Sequence, residues 1–353
     1  MNQNTFTLNG KETAFKPGQT ILDAACEAGV IIPTLCHIKG TTPTGACRVC
    51  LVEVGGARSL MASCSTPVTA GMVVLTESER VLKTRKLIVE LLLSSGQHNC
   101  IVCEANGNCR LQDLAYACRI TEMKFPLPEK FYPTEDENPF IVRDFSRCIL
   151  CGRCVQACNE VVVNRAISHG YRGAESKIVT GGDGPYTDSE CVFCGQCVEV
   201  CPVGSLTEKK ARGMGRPWET QKIRTTCPYC GVGCQQLLHV KDGRIAKVTA
   251  VEGAMPNQGR LCVKGRFGYD FLYSEERLKT PLIREENGAF REASWDEALD
   301  LVVEKFKGII EKHGPDAVAG VSCARSINED SYQMQKLFRA VIGTNNIDHC
   351  ART

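Results

Sequence analysis

The first 30 residues change from an alternating to a helical hydrophobic pattern. Apolar residues on both sides of Asn9-Gly10 are typical of a β-hairpin. Positions 21–28 then carry apolar residues at helical spacing, with Thr20 before them as an N-cap. The pattern predicts two antiparallel strands followed by a short helix.

The middle of the chain contains one longer helical pattern and a second hairpin signal. Positions 77–95 predict a helix, and apolar runs at 237–240 and 245–248 flank Asp242-Gly243. The predicted helix carries its apolar side on Val81, Leu87, Ile88, Leu91 and Leu92.

The last part of the chain predicts the beginning of an α/β domain. Positions 281–291 indicate a short hairpin, and Ser294 caps a helix that extends to about position 313. A buried strand is predicted at 317–322 and another helix at 328–342. We therefore expect an α+β multidomain protein whose last part alternates strands and helices.

Charge and hydropathy argue against two classes of partner. The 353 residues carry a formal net charge of +2, so no strong basic field favours nucleic acid or acidic lipid. The first 20 residues lack the apolar core of a secretion signal, and no apolar run reaches the roughly 18 residues that a membrane span needs. We expect a soluble, cytoplasmic protein that binds no nucleic acid and does not insert directly into a membrane.

Cysteine is the unusual component of the composition. The chain has 23 cysteines, and the cytosol keeps thiols reduced, so metal binding accounts for them better than disulfides. Nineteen of the 23 fall into tight groups or complete such a group at longer range. The four outside these groups are Cys26, Cys118, Cys323 and Cys350.

The first module, residues 1–76, contains the motif C-x10-C-x2-C-x13-C. Its cysteines are Cys36, Cys47, Cys50 and Cys64. Two close and two remote cysteines suit a [2Fe–2S] cluster, whose two irons take two thiolates each; a zinc site is the alternative. With the hairpin and helix before it, the motif resembles the β-grasp [2Fe–2S] domain of the G-type subunit of complex I and its relatives.

The second module, residues 77–125, contains one histidine close to three cysteines: His98, Cys100, Cys103 and Cys109. The same relatives carry a [4Fe–4S] cluster on the pattern H-x3-C-x2-C-x5-C. The three cysteines match, whereas the histidine lies two residues closer and Gly96 occupies its usual place. We expect His98 to be the fourth ligand. The alternative is that another group, such as Cys118, is the fourth ligand. Cys118 lies in an apolar helical stretch, however, and we expect it to pack in the core.

The third module, residues 138–210, contains the pattern C-x2-C-x2-C-x3-C twice. The first run is Cys148, Cys151, Cys154 and Cys158, and the second run is Cys191, Cys194, Cys197 and Cys201. Bacterial ferredoxins with two [4Fe–4S] clusters have this pattern, and the fourth cysteine of each run binds the other cluster. The resemblance therefore pairs Cys201 with the first run and Cys158 with the second. A pair of zinc ribbons is the alternative.

The fourth module, residues 222–276, contains C-x2-C-x3-C-x27-C and predicts one more [4Fe–4S] cluster. Its cysteines are Cys227, Cys230, Cys234 and Cys262. The module resembles the N-terminal cluster domain of molybdopterin oxidoreductases, especially formate dehydrogenases. In that family the lysine after the fourth cysteine lies between cluster and pterin, and Lys264 matches it. The alternative is a solvated lysine.

The resemblance covers essentially the whole chain, which is similar to the N-terminal part of a cytosolic, NAD-linked formate dehydrogenase α subunit. Positions 277–353 then correspond to the start of the molybdopterin catalytic domain. The implied reaction converts formate to carbon dioxide, two electrons and a proton. The implied relay runs from the pterin through the Cys227 cluster, the two ferredoxin clusters and the His98 cluster to the [2Fe–2S] centre.

The same resemblance implies cofactors and partners. We expect one [2Fe–2S] and four [4Fe–4S] clusters here, and molybdopterin guanine dinucleotide with molybdenum or tungsten in the full-length protein. No G-x-G-x-x-G stands between a strand and a helix. NAD chemistry is therefore expected on a flavin-bearing diaphorase partner, which resembles the F-type subunit of complex I, alongside a small [2Fe–2S] subunit. Four arginines beside cluster cysteines could raise reduction potentials: Arg48, Arg110, Arg147 and Arg153.

Three alternatives stay open. The G-type subunit of complex I shares modules one, two and four, and we expect it to lack the double ferredoxin insert. An iron-only hydrogenase shares the first three modules but continues with other cysteine motifs. A stand-alone electron carrier has no active site of its own.

The final segment, residues 343–353, resembles the stretch immediately before the molybdenum-ligating cysteine or selenocysteine. Cys350 matches a family position there but is not the metal ligand. We expect Thr353 to be followed in the gene by a UGA codon read as selenocysteine, a softer metal ligand that ionises more readily than cysteine.

Overall fold

A computed structural model describes residues 4–129 and 131–351 of the chain. The expectation about the codon after Thr353 lies outside these residues. The chain divides into two compact units. The first comprises Met1–Gln221 with His239–Lys247, and the second comprises Lys222–Leu238 with Val248–Thr353.

A five-stranded sheet with one helix opens the first unit. Its elements are β1 (Thr5–Leu8), β2 (Lys11–Ala14), α1 (Ile21–Glu27), β3 (Leu51–Val54), β4 (Met61–Ala62) and β5 (Val73–Leu75), with sheet order β2-β1-β5-β3-β4. Asn9 and Gly10 turn the β1–β2 hairpin with φ of 51° and 81°, as their sequence predicts. Phe6, Ile21 and Val74 are buried and join sheet and helix into one core.

The predicted cap of α1 is confirmed. The Thr20 side chain accepts a hydrogen bond from the Asp23 backbone N–H, and the Asp23 carboxylate accepts one from the Thr20 backbone N–H. This capping box satisfies two of the amides that a helix N-terminus leaves unpaired. It holds in place the helix that precedes the first cysteine loop.

The next two helices are α2 (Glu79–Ser94) and α3 (Arg110–Ala117). The predicted apolar side of α2 is partly wrong, because Leu87 and Leu91 are exposed. The buried side carries Arg85 beside Val81 and Val89. The Arg85 guanidinium donates to the carbonyl oxygens of Val49 at 3.2 Å and Thr76 at 3.1 Å, and these partners outside the helix make its burial possible.

The ferredoxin-like region follows with two short helices between paired strands. Its elements are β6 (Ile141–Arg143), α4 (Arg153–Gln156), β7 (Ile167–Gly170), β8 (Lys177–Thr180), α5 (Gln196–Val200) and β9 (Leu206–Glu208). Strand β6 pairs antiparallel with β9, and β7 pairs antiparallel with β8. Gly152 precedes α4 and Gly195 precedes α5, with φ of 74° and 70°. The two cysteine runs therefore enter their helices through the same left-handed turn.

A three-stranded sheet of order β10-β11-β12 carries the fourth module. Its elements are β10 (Gln221–Thr226), β11 (Gln235–Lys241), β12 (Arg244–Ala250) and the short helix α6 (Val263–Phe267). Asp242 and Gly243 form the predicted hairpin turn, with φ of 50° and 74°.

The remaining elements of the second unit match the predicted alternation. They are β13 (Leu282–Arg284), β14 (Phe290–Glu292), α7 (Trp295–His313), β15 (Gly320–Ser322), α8 (Asn328–Lys336) and β16 (Ile347–His349). The predicted burial of 317–322 is wrong in part, because Val321 is 78% exposed. Strand β15 lies in a two-stranded sheet with β16, so one of its faces stays uncovered within the described residues.

No helix among the described residues combines the length and the apolar character required to cross a bilayer.

Candidate iron–sulfur centres

The four cysteines of the first module converge in the core. All four are buried, and Sγ of Cys50 lies 3.4 Å from Sγ of Cys64. Hydrogen bonds from the Cys47 and Cys64 thiols lower the pKa of Cys36, and the Cys64 thiol lowers the pKa of Cys50 to about 6. A metal takes cysteine as the thiolate, so metal binding to these four thiols releases their protons.

The second module brings its predicted ligands around one cavity of about 370 Å³. His98, Cys100, Cys103 and Cys109 line it, whereas Cys118 is not among its lining residues. Cys118 packs instead against the core formed partly by Leu111 and Val89. The structure therefore groups His98 with the three cysteines, while its role as a ligand stays a prediction.

Steric contact explains why the histidine does not occupy the usual position. A Cβ atom at Gly96 would lie 2.2 Å from the carbonyl oxygen of Ser146. Position 96 therefore has no room for a side chain. His98 reaches the cavity from two residues later, with its Nε2 3.2 Å from the Leu92 carbonyl oxygen.

Residues from other modules surround Cys103, and the sequence reasoning missed two of them. A Cβ atom at Gly204 would lie 2.3 Å from the Cys103 Sγ, so only glycine fits there. The Arg216 guanidinium donates to the carbonyl oxygens of Cys103 and Ile101. Arg147, expected beside Cys148, lines the same cavity as Cys103, and both side chains lie next to Gly204. Neither Gly204 nor Arg216 lies near Cys103 in sequence, so no local pattern identifies them.

The third module forms two cavities, each lined by four cysteines. Cavity A is lined by Cys148, Cys151, Cys154 and Cys201, and cavity B is lined by Cys158, Cys191, Cys194 and Cys197. The last cysteine of each run thus lies with the first three of the other run. Three backbone amides point at these sulfurs: Leu150 N–H to Cys148 at 3.4 Å, Phe193 N–H to Cys191 at 3.4 Å and Ala166 N–H to Cys158 at 3.3 Å.

Burial makes these thiols hard to ionise without a compensating cation. It raises the pKa of Cys151 and of Cys197 to about 12, and it raises the pKa of Cys154 well above its usual range. Because iron binds the thiolate, metal binding and deprotonation are linked at these sites. A donor set of this kind fits a buried multi-iron group.

Tyr186 separates cavities A and B, and it lines both. Its hydroxyl is buried with no hydrogen-bond partner in the described part of the chain, and burial, together with the nearby Cys197 sulfur, raises the pKa of Tyr186 well above its usual range. The Arg143 guanidinium lies 4.7 Å from the Tyr186 ring centroid and 4.9 Å from that of Phe145. Arg143 also pairs with Glu135, so this buried cation is neutralised.

The cysteines of the fourth module lie at one end of the three-stranded sheet. Cys227 is buried and Cys262 is exposed. The pKa of the Cys227 thiol is raised by burial and, to a smaller extent, by the nearby Cys262 and Cys230 sulfurs. Lys264 is exposed, with its Nζ 5.6 Å from the Tyr229 ring centroid, so its expected place on an electron path stays a prediction.

Across residues 4–129 and 131–351, no three His, Cys, Asp or Glu side chains meet the geometry of a site for a single metal ion. The donors described above are instead grouped in fours, and a [4Fe–4S] cluster takes each of its four ligands on a different iron.

Known families match successive segments of the chain. The matches are a 2Fe-2S iron-sulfur cluster binding domain (2–79), the NADH-ubiquinone oxidoreductase-G iron-sulfur binding region (85–124), the ferredoxin-like domain of NADH-quinone oxidoreductase subunit 3 (138–207), the molybdopterin oxidoreductase Fe4S4 domain (220–274) and molybdopterin oxidoreductase (277–353). The third match contradicts the expectation that complex I subunits of this type lack the double ferredoxin insert. A ferredoxin-like region at this place therefore does not distinguish the chain from those subunits.

Curated relatives have different activities in their names. The chain is 40% identical over 99% of its length to the NADPH-Fe(3+) oxidoreductase subunit alpha of Geobacter sulfurreducens, and 38% identical over 98% to a G-type NADH-quinone oxidoreductase subunit of Rhizobium meliloti. It is 34% identical over 98% to a Staphylococcus aureus protein provisionally named a formate dehydrogenase. The chain spans about 40% of the length of these relatives.

A solved NAD+-reducing [NiFe]-hydrogenase in its H2-reduced state contains a chain of similar fold. The TM-score is 0.57 at 36% sequence identity, and the match covers 60% of this chain and 90% of the hydrogenase chain. The chain therefore belongs to the molybdopterin oxidoreductases whose N-terminal iron–sulfur domains are those of the G-type NADH-quinone oxidoreductase subunits, and it contains the electron-transfer portion of such a protein.

Proposed function

We propose that the chain binds one [2Fe–2S] and four [4Fe–4S] clusters and passes electrons singly between a molybdopterin centre and a pyridine-nucleotide-linked partner. The grouping of Cys201 with the first run and of Cys158 with the second carries this proposal. Two sets of four thiols, each completed from the other run, are the ligand arrangement of a two-cluster ferredoxin.

His98 is proposed as the fourth ligand of the second-module cluster. Its Nε2 lies 3.2 Å from the Leu92 carbonyl oxygen. Metal-binding histidines commonly donate one ring N–H to a backbone carbonyl, which fixes the ring and leaves the other nitrogen for the metal. Nδ1 is then the nitrogen that binds iron. Cys118 does not line this cavity, and it serves as the matched control.

The protein's own groups set how readily each centre accepts an electron. Iron–sulfur clusters supply one-electron redox chemistry, which splits a two-electron reaction into single steps. Buried thiolates and a low dielectric disfavour the more negative reduced state, whereas backbone N–H groups and cations beside sulfur favour it. Arg147, which lines the same cavity as Cys103, and the amides of Leu150 and Phe193 favour the reduced state in this way.

The complete protein is proposed to be a formate dehydrogenase α subunit. The resemblance of residues 343–353 to the segment before the family's metal ligand supports formate as substrate, with molybdopterin guanine dinucleotide carrying molybdenum or tungsten. Lys264 is proposed to lie between the fourth-module cluster and the pterin. The names of the relatives, which include NADH, NADPH and NAD+, support a flavin-bearing diaphorase partner.

Anaerobic reconstitution with iron and sulfide tests the cluster assignment. We expect about 18 irons per chain, from one two-iron and four four-iron clusters. Cys158→Ala should change the spectrum of one [4Fe–4S] cluster, that of cavity B, although Cys158 belongs to the first run. Cys118→Ala should leave every cluster unchanged. About eight irons per chain, or stoichiometric zinc after native purification, contradicts the assignment.

The substrate is tested separately, in the full-length protein with its partner. Formate should reduce the clusters and then NAD+. Cluster reduction by NADPH but not by formate would favour the activity named for the Geobacter relative and leave the cluster assignment intact.

A further inference from the structure

Two cysteines outside the cluster motifs lie side by side in the second unit. Cys323 follows β15 and Cys350 follows β16. These strands pair in parallel with Ser322 opposite His349, so the two cysteines occupy the next position of the same register. Their Sγ atoms are 3.8 Å apart, although 27 positions separate them in sequence.

The surroundings of this pair favour thiol chemistry. Both cysteines are exposed. The Cys323 sulfur accepts a hydrogen bond from the Arg325 backbone N–H at 3.3 Å. This bond, together with the Cys350 thiol, lowers the pKa of Cys323. Cys26 is also exposed but has no neighbouring thiol among its described contacts, and Cys118 is half-buried, with burial raising its pKa.

We propose that Cys323 and Cys350 form a reversible dithiol–disulfide pair that reacts with small disulfides of the glutathione class. The Cys323 thiolate attacks the small disulfide, forms a mixed disulfide and releases one small thiol. Cys350 then loses its proton, attacks the Cys323 sulfur and releases the second small thiol. Two protein thiols are oxidised and one small disulfide is reduced to two thiols, so electrons and protons balance.

The backbone can accommodate this bond. Adjacent strands lie about 4.8 Å apart, within the Cα separations that disulfides span. The sulfur atoms need to approach from 3.8 Å to about 2 Å, which rotation of two exposed side chains can supply. In a reducing compartment such bonds are mostly transient and regulatory.

The turn after Cys323 packs against a cluster loop, which gives the disulfide a functional consequence. Ser326 donates from its Oγ to the Cys323 carbonyl oxygen at 2.7 Å. A Cβ atom at Gly231 would lie 2.6 Å from the Ser326 carbonyl oxygen, so Gly231, next to Cys230, touches this turn directly. Closing the disulfide pulls on a turn that supports the fourth-module motif. This coupling to the cluster rests on the proposed function, whereas disulfide formation does not.

Mass spectrometry of the reconstituted 353-residue chain tests the pair. After anaerobic equilibration with reduced and oxidised glutathione, alkylation and digestion, we expect a linked Cys323–Cys350 peptide and loss of both alkylated peptides. Cys350→Ser should instead trap glutathione on Cys323, and Cys26→Ser should behave like the wild type. Full alkylation of both cysteines at every glutathione ratio, or zinc bound to them, overturns the proposal.

Electron paramagnetic resonance tests separately whether the disulfide affects the fourth-module cluster. Oxidation of the pair should alter the spectrum of the fourth-module cluster in the wild type but not in Cys323→Ser. A linked peptide with an unchanged spectrum refutes the coupling alone. Absence of iron from the fourth module contradicts the proposed function. The mass-spectrometric test of the disulfide stays valid in that case, because it does not depend on the cluster.

Discussion

Replacing Tyr186 by phenylalanine tests how the protein distinguishes its two ferredoxin-type clusters. Tyr186 lines both cavities, and its hydroxyl, which has no hydrogen-bond partner in the described residues, lies beside Cys197, a ligand proposed for cavity B. Phenylalanine keeps the ring, and with it the contact 4.7 Å from the Arg143 guanidinium. The substitution therefore removes one O–H group from beside a buried sulfur and changes little else.

When Cys197 binds a cluster, the unpartnered Tyr186 hydroxyl is the group placed to donate a hydrogen bond to its sulfur, and the expected size of the effect follows from the strength of such a bond. A hydrogen bond to a charged group contributes about 1.5–3 kcal/mol, and both redox states of the cluster carry negative charge. The reduced state is the more negative, so the bond favours it by a fraction of this energy, on the order of 1 kcal/mol. For one electron, that difference corresponds to about 40 mV. Tyr186→Phe should lower the potential of the cavity B cluster by this amount.

An anaerobic redox titration followed by electron paramagnetic resonance measures the shift. The cluster in cavity A should keep its potential, and iron content should stay at the wild-type value. Tyr171→Phe is the matched control, because the Tyr171 hydroxyl is exposed and bonds Asp183 at 2.7 Å, away from both cavities. An unchanged potential, or equal shifts in both clusters, would refute the reasoning.

Three further substitutions probe other parts of the first unit. Gly204→Ala places a Cβ 2.3 Å from the Cys103 Sγ, so iron analysis should show a loss of about four irons with the other clusters retained. His98→Ala should change the resonance signal and potential of the second-module cluster, and an unaltered spectrum would identify another ligand. Thr20→Ala removes the capping box of α1, and denaturant titration should show destabilisation by about 1 kcal/mol. Thr13→Ala removes a solvent-exposed hydrogen bond to the Lys11 carbonyl oxygen and no helix cap, so it should have little effect.

Local chemistry explains what the sequence predicts well. Asn9-Gly10 and Asp242-Gly243 require left-handed backbone, and Thr20 requires only the amides of the next turn, so a few neighbouring residues determine each feature. The spacing of the cysteine runs is local in the same way. A loop with two-residue gaps can present three sulfurs to one cavity whatever lies around it.

Contacts that the fold alone creates explain what the sequence does not predict. The apolar pattern of α2 predicts that Leu87 and Leu91 are buried. Arg85 is buried instead, because its guanidinium donates hydrogen bonds to the carbonyl oxygens of Val49 and Thr76. The contact of Gly204 with Cys103 spans 101 positions in the chain. Neither the hydrophobic period nor the motif spacing contains information about such partners.

The contacts around cavity A also bear on the order of electron transfer. The family resemblance predicts a linear relay in which the His98 cluster reduces the [2Fe–2S] centre. In the structure, Arg153 donates to the carbonyl oxygens of His37 at 2.9 Å and Val200 at 2.7 Å, which are the neighbours of Cys36 and Cys201. Cys36 and Cys47 share one hydrophobic core with Cys151 and Cys201 of the third module and with Cys109 of the second.

Cavity A therefore borders the first module directly, while Gly204 and Arg147 connect it to Cys103 of the second. These contacts favour a branched relay, in which the cavity A cluster exchanges electrons with both modules. Gly204→Ala distinguishes the two arrangements, because it should remove the second-module cluster alone. In rapid-mixing experiments with a reductant that enters at the third module, a linear relay predicts that reduction of the [2Fe–2S] centre stops. A branched relay predicts that it continues at close to the wild-type rate, since the path past Arg153 is intact.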